Sequence, residues 1–160
     1  MRTILFICTA NRCRSPMAEA LLKQQLLRVD DAGGWHILSA GTWVPAGLPA
    51  TELAQQVIAR RGPDLSDHRS RPLDGELLQS ATVIIVMTRN QLEAIQVEFP
   101  ETVGKAYLMS QLIGQDYDIE DPYGGSEADY QLCADEIQRI LADGFARLVE
   151  LTDARVSVAP

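Results

Sequence analysis

Three cysteines, two histidines and no CxxC pair leave this chain of 160 residues little from which to build a structural zinc site, and no metal is expected. The odd cysteine count, with Cys8 and Cys13 close together, does not describe a disulfide scaffold and suits a reducing compartment. No apolar run reaches the roughly 20 residues that span a bilayer. The apolar stretch at Thr3 to Ile7 is too short for a signal-peptide core and has no small-residue cleavage site after it, so a cytoplasmic protein with no membrane partner is expected. Positive charge is also scarce: 14 Lys and Arg face 22 Asp and Glu, a net charge of −8. Such a chain repels nucleic acid, and its densest basic stretches, NRCR and DHRSR, suit one anionic group better than a polyanion. The phosphate-loop pattern GxxxxGKS/T and the dinucleotide pattern GxGxxG are both missing. Internal repeats, low-complexity segments and linkers are missing as well.

What is present suits one domain with one core. Hydrophobic residues make up 46% of the chain, and apolar runs alternate with helical patterns. Arg2 to Cys8 reads as a strand apolar nearly throughout, as expected when both faces are covered. A helix follows from Ser15, with Met17, Ala18, Leu21, Leu22 and Leu26 on one face and Pro16 at its first position. GGWHILSAGT gives a turn and a strand ending near Ser39, with Trp35 in the core. Residues 51–61 read as a helix stopped by Gly62 and Pro63. ATVIIVMT is the strongest strand signal, Thr88 caps a helix over residues 89–98, and KAYLM is a weaker strand. Ser126 caps one long last helix, whose stripe of Tyr130, Cys133, Ala134, Ile137, Leu141, Phe145 and Leu148 places Cys133 in the core. The alternation predicts an α/β fold: three layers, α/β/α, around a four-stranded, mostly parallel sheet. The domain spans residues 1–152, and residues 153–160 form a loosely held tail. The irregular pieces at residues 41–49, 62–72 and 114–125 rim the carboxyl edge of the sheet, where ligands bind in this architecture.

Chemistry concentrates in ICTANRCRSP. Cys8 ends the first strand, and Arg14 and Ser15 open the first helix. Free N–H groups at a helix start, with the helix dipole and a curled loop, make an anion cradle. The planar fork of Arg14 can hold two phosphate oxygens side-on. The same field favours Cys8 as a thiolate, with Ser15 placed to donate to it: a nucleophile inside a phosphate cradle. Such a nucleophile needs a leaving-group acid. Asp121 in IEDPYGGS is held extended by Pro122, and the Gly124-Gly125 turn lets the segment reach over a cleft.

ICTANRCRSPMAEAL and IEDPYGGS, with LSAGTW, SDHRSRPL and VIIVMTRNQ between them, resemble the low-molecular-weight protein tyrosine phosphatase family over nearly the whole chain. The resemblance implies a cofactor-free phosphatase for phosphotyrosine proteins, with a cognate tyrosine kinase as a candidate partner. It implies Cys8 as the nucleophile that becomes phosphocysteine, Arg14 as the phosphate clamp and Asp121 as the acid that then activates water. Thr9, Ala10, Asn11, Arg12, Cys13 and Ser15 complete the loop, with Asn11 and Ser15 shaping it and Ser39 and His68 tying it down. Trp43 and Tyr123 are expected as walls for a flat aryl group. Cys13 is expected either to form a protective disulfide with Cys8 or to be a packing thiol.

Two positions depart from the family pattern. Ala10 stands where glycine is usual, so loop strain is expected there. Arg12 stands where the protein-arginine phosphatase branch has threonine, although that branch shares the DP-aromatic-GGS ending. A cation at residue 12 disfavours a phosphoguanidinium, which leaves phosphoarginine as the second substrate. Arsenate reductase ranks lower, because the stretch after the third strand has no further redox cysteines. A phosphopeptide-binding protein without catalysis is disfavoured because Cys8, Arg14 and Asp121 are all present.

Overall fold

The computed structural model describes residues 1–29 and 34–157; Gly33 of the expected turn and tail residues 158–160 lie outside them. Strands β1 (Arg2–Cys8), β2 (Trp35–Gly41), β3 (Val83–Val86) and β4 (Ala106–Leu108) form one sheet in the order β2-β1-β3-β4. Every neighbouring pair is parallel. The two inner strands, β1 and β3, are buried along nearly their whole length, as strands covered on both faces require. Ile4, Phe6 and Cys8 join one buried cluster, while Leu5 and Ile7 join the other.

Helices α1 (Arg14–Arg28), α2 (Glu52–Ala59), α5 (Glu127–Asp143) and α6 (Phe145–Val156) cover the first face. Helices α3 (Gly75–Ser80) and α4 (Arg89–Glu98) cover the second, through Leu78 and Ile95. The three-layer expectation therefore holds. Among the described residues, no helix is long and apolar enough to cross a membrane.

Four local expectations are corrected. First, α1 begins at Arg14 with Cys13 as its N-cap, so Pro16 is third in the helix. It still lies in the first turn, where a missing N–H costs nothing. Second, β2 continues past Ser39 to Gly41, which pairs with Cys8. Third, the long last helix is two helices. A Cβ on Gly144 would stand 2.7 Å from Leu112 Cβ and 2.8 Å from Ile140 O, so Leu112 packs where a side chain would sit and the chain bends there. Fourth, order does not stop at residue 153: α6 runs to Val156, Asp153 accepts from Arg2 Nε at 2.8 Å, and Arg155 donates to Gly104 O. Helix α3 was not anticipated. Its six residues are too short to show a period, although its N-cap, Asp74, accepts from Leu77 N as such a residue should.

Candidate active site

Cys8 lies at the carboxyl end of β1, between β2 and β3, where the chain turns to opposite sides of the sheet. Such a switch point opens a crevice for a ligand. The segment from Cys8 to Arg14 curls there, and Asn11 makes the curl. It has φ 51°, the one positive φ outside glycine among the described residues. Asparagine tolerates this region better than most side chains.

Asn11 is buried with a partner at every polar group. Its N–H donates to Cys8 Sγ at 3.3 Å, and its carbonyl accepts from His68 Nε2 at 2.7 Å. Its side-chain Oδ1 accepts from Arg71 N, and Nδ2 donates to both Ser15 Oγ and Ser39 Oγ, each at 2.9 Å. Ser39 and His68 thus act on the loop through one residue. A carbonyl can only accept, so His68 carries its proton on Nε2. Burial lowers the His68 pKa and favours the neutral ring.

The sulfur has a second neighbour in Ser15 Oγ at 3.0 Å. A thiolate there accepts from the Asn11 amide and the Ser15 hydroxyl together. On the β2 side, Thr42 N donates to Cys8 O and Trp43 N donates to Thr9 O, each at 3.0 Å. That approach needs Gly41, because a Cβ there would meet Thr9 O at 2.7 Å. The tight position is therefore on β2 and not at Ala10, whose φ is not positive, so the strain expected at Ala10 is absent. Ala10→Gly should accordingly change hydrolysis of an aryl phosphate by no more than about twofold, since alanine carries no penalty outside the left-handed region. A large gain in steady-state rate would show that the side chain distorts the loop after all.

Arg14 is 3% exposed. Its Nη1 donates to Ile119 O at 2.9 Å and its Nη2 to Asp121 Oδ2 at 3.1 Å. Its Nε is buried with no partner among the described residues. Ile119 N donates to Met87 O, which fastens the Asp121 segment to the end of β3 and brings it over the crevice. Asp121 Oδ1 accepts from Tyr123 N at 3.1 Å. Asp121 and Arg14 meet directly although more than a hundred residues separate them.

Trp43 and Tyr123 are 84% and 67% exposed, so both rings are free of the core and stand on the two segments that border the loop. Arg12 is half-buried, and its Nε is tied to Pro49 O at 2.8 Å. Cys13 Sγ is 3.4 Å from both Thr51 Oγ1 and Tyr130 OH. Burial raises the Cys13 pKa, and all three cysteines are free thiols. A bridge to Cys8 would first have to draw Cys13 out of that arrangement. Cys133 is buried as expected, with its pKa pushed up to about 12 by burial.

Sequence reasoning missed Thr51, Tyr130 and Gln91. Thr51 N donates to Arg12 O, Tyr130 OH bonds Thr51 Oγ1, and Gln91 Nε2 donates to Thr9 Oγ1. Thr88-x-x-Gln91 has the spacing of a capping box, which explains the start of α4 but gives no hint of a contact to Thr9.

Comparison with known proteins agrees with this geometry. Residues 3–153 match the family model described as low molecular weight phosphotyrosine protein phosphatase. A probable low molecular weight protein-tyrosine-phosphatase EpsP of Ralstonia nicotianae is 37% identical over 139 residues, which is 87% of this chain and 90% of that protein. A protein-arginine-phosphatase of Geobacillus stearothermophilus is also 37% identical over 139 residues, 86% and 90% of the two chains. The solved structure of the YwlE arginine phosphatase from Geobacillus stearothermophilus superposes with a TM-score of 0.85 at 32% identity, covering 100% of this chain and 99% of that one. Family model, curated relatives and fold agree: the chain belongs to the low molecular weight phosphotyrosine protein phosphatase family.

Proposed function

We propose that the protein hydrolyses phosphotyrosine in proteins through a phosphocysteine intermediate. The observation that carries this reading is Arg14. A buried guanidinium with Nη2 on the acid and an unpartnered Nε is suited to receive a phosphate oxygen beside the proton donor. Cys8 sulfur attacks phosphorus as the bond to the phenolic oxygen breaks, and Asp121 gives its proton to the departing oxygen. Asp121, now a carboxylate, takes a proton from water. The oxygen of that water attacks phosphorus, releasing inorganic phosphate and the Cys8 thiolate. Arg14 and the loop N–H groups stabilise the charge on the equatorial oxygens in both steps. Asn11, Ser15, Ser39 and His68 keep the loop curled, and Trp43 and Tyr123 flank the aryl ring. Three free thiols suit work in the cytoplasm, opposite a tyrosine kinase.

Phosphoarginine is the second reading, favoured by the equal identity to the Geobacillus protein-arginine-phosphatase. Arg12 opposes it, because a cation tethered at the loop rim repels a guanidinium and attracts an acidic peptide. A panel of phosphotyrosine, phosphoarginine and phosphoserine peptides decides. Phosphotyrosine should be turned over at least roughly tenfold faster than phosphoarginine, and Arg12→Thr should narrow the gap. Faster turnover of phosphoarginine by the wild type would reverse the assignment.

A further inference from the structure

We infer that Gln91 is a positioning residue for the phosphate loop, acting from the opposite face of the sheet through Thr9. The inference rests on the phosphatase reading for its consequence, although its geometry stands independently. Gln91 is 8% exposed on the first turn of α4. Its Oε1 accepts from Met87 N at 3.0 Å and Thr88 N at 3.1 Å, two N–H groups freed where β3 ends. Two donors facing one atom identify that atom as oxygen, so the other end of the amide is NH2. That end donates to Thr9 Oγ1 at 3.1 Å.

Both ends of the amide are thus engaged, and its direction is not free. Thr9 is the residue immediately after the nucleophile. Its carbonyl is held from β2 by Trp43 N and its hydroxyl from β3 and α4 by Gln91. The entry to the curl is pinned on both sides of Cys8, while Asn11 fixes its middle from beneath. A loop that binds phosphate through N–H direction loses affinity when its first residue can rotate. The Thr9 contact makes no demand on α4 as a helix: the capping interactions at Thr88 and Met87 use the oxygen alone. A purely structural Gln91 would therefore have no need of Thr9.

The test is a double-mutant cycle on Gln91→Ala and Thr9→Val, read as the inhibition constant for inorganic phosphate alongside kcat, KM and melting temperature. One hydrogen bond of ordinary strength corresponds to about fivefold, so each single variant should weaken phosphate inhibition by about that factor. The double variant should be no weaker in phosphate binding than Gln91→Ala alone. Thr9→Val leaves the capping oxygen untouched and should lose phosphate affinity without losing melting temperature. Thr9→Val with wild-type phosphate affinity, or full additivity in the cycle, would overturn the proposal. Phosphate binding to the wild type, followed by titration calorimetry, reports on the loop even without turnover. A failure of the phosphatase reading is thereby separable from a failure of this one.

Discussion

Serine in place of Cys8 should leave a protein that still binds inorganic phosphate but has lost turnover of phosphomonoesters, with kcat lower by roughly ten-thousandfold or more. The reason lies in what surrounds the sulfur. Asn11 N and Ser15 Oγ both donate toward position 8, an arrangement that supports an anion. A thiol gives up its proton far more readily than a serine hydroxyl, which needs a base to remove it. The nearby histidine cannot serve: His68 Nε2 already donates to the Asn11 carbonyl and acts on the loop instead of on residue 8. Arg14 and the curl remain in the variant, so the cradle survives. Titration calorimetry with phosphate and single-turnover hydrolysis of p-nitrophenyl phosphate check the two halves separately. Turnover above a hundredth of wild type would place the nucleophile elsewhere.

Asp121→Asn should divide substrates by leaving group. Turnover of a phosphotyrosine peptide, whose phenol leaves poorly without a proton, should fall by roughly a hundredfold to a thousandfold. An activated aryl phosphate should lose less than about tenfold, because its leaving group departs as the anion. Asparagine keeps the shape and an oxygen for Arg14 Nη2. The ion pair it removes is partly solvated, with the Asp121 side chain 43% exposed, so its contribution to stability is about 1 kcal/mol or less. Melting temperature should therefore move little while the two rates separate. Equal losses on both substrates would count against proton transfer by Asp121 and in favour of a role confined to holding Arg14.

The parts of the fold that could be read from sequence are those governed by local rules. β1 and β3 stand out because strands buried on both faces are apolar at nearly every position. The start of α4 stands out because Thr88 and Gln91 form a capping box. Cys8, Arg14 and Asn11 are legible because a strand, a loop and a helix start confine them to one short stretch. The break at Gly144 was hidden because its cause is Leu112, a residue in another part of the chain, and Phe145 and Leu148 continue the apolar stripe across it. Gly41 was missed for a similar reason. It matters through the backbone of Thr9, and SAGT by itself gives no sign that two segments must approach there. Ala10 drew the expectation of strain because glycine is usual at that position; the left-handed residue is its neighbour Asn11. Gln91 and Thr51 were out of reach because each contacts the loop across the sheet or between helices, at a separation that no local pattern records.

The placement of β1 inside the sheet, between β2 and β3, has a consequence for how the molecule comes together. The strand bearing Cys8 pairs on one side with β2 and on the other with β3, and both partners are distant in sequence. The Asp121 segment is more distant still and hangs from the end of β3 through Ile119. Helices form early from local contacts, whereas parallel pairings wait for long loops to close. During refolding, helical content should therefore return well before catalytic competence. The cradle becomes functional only when the last long-range closure has been made.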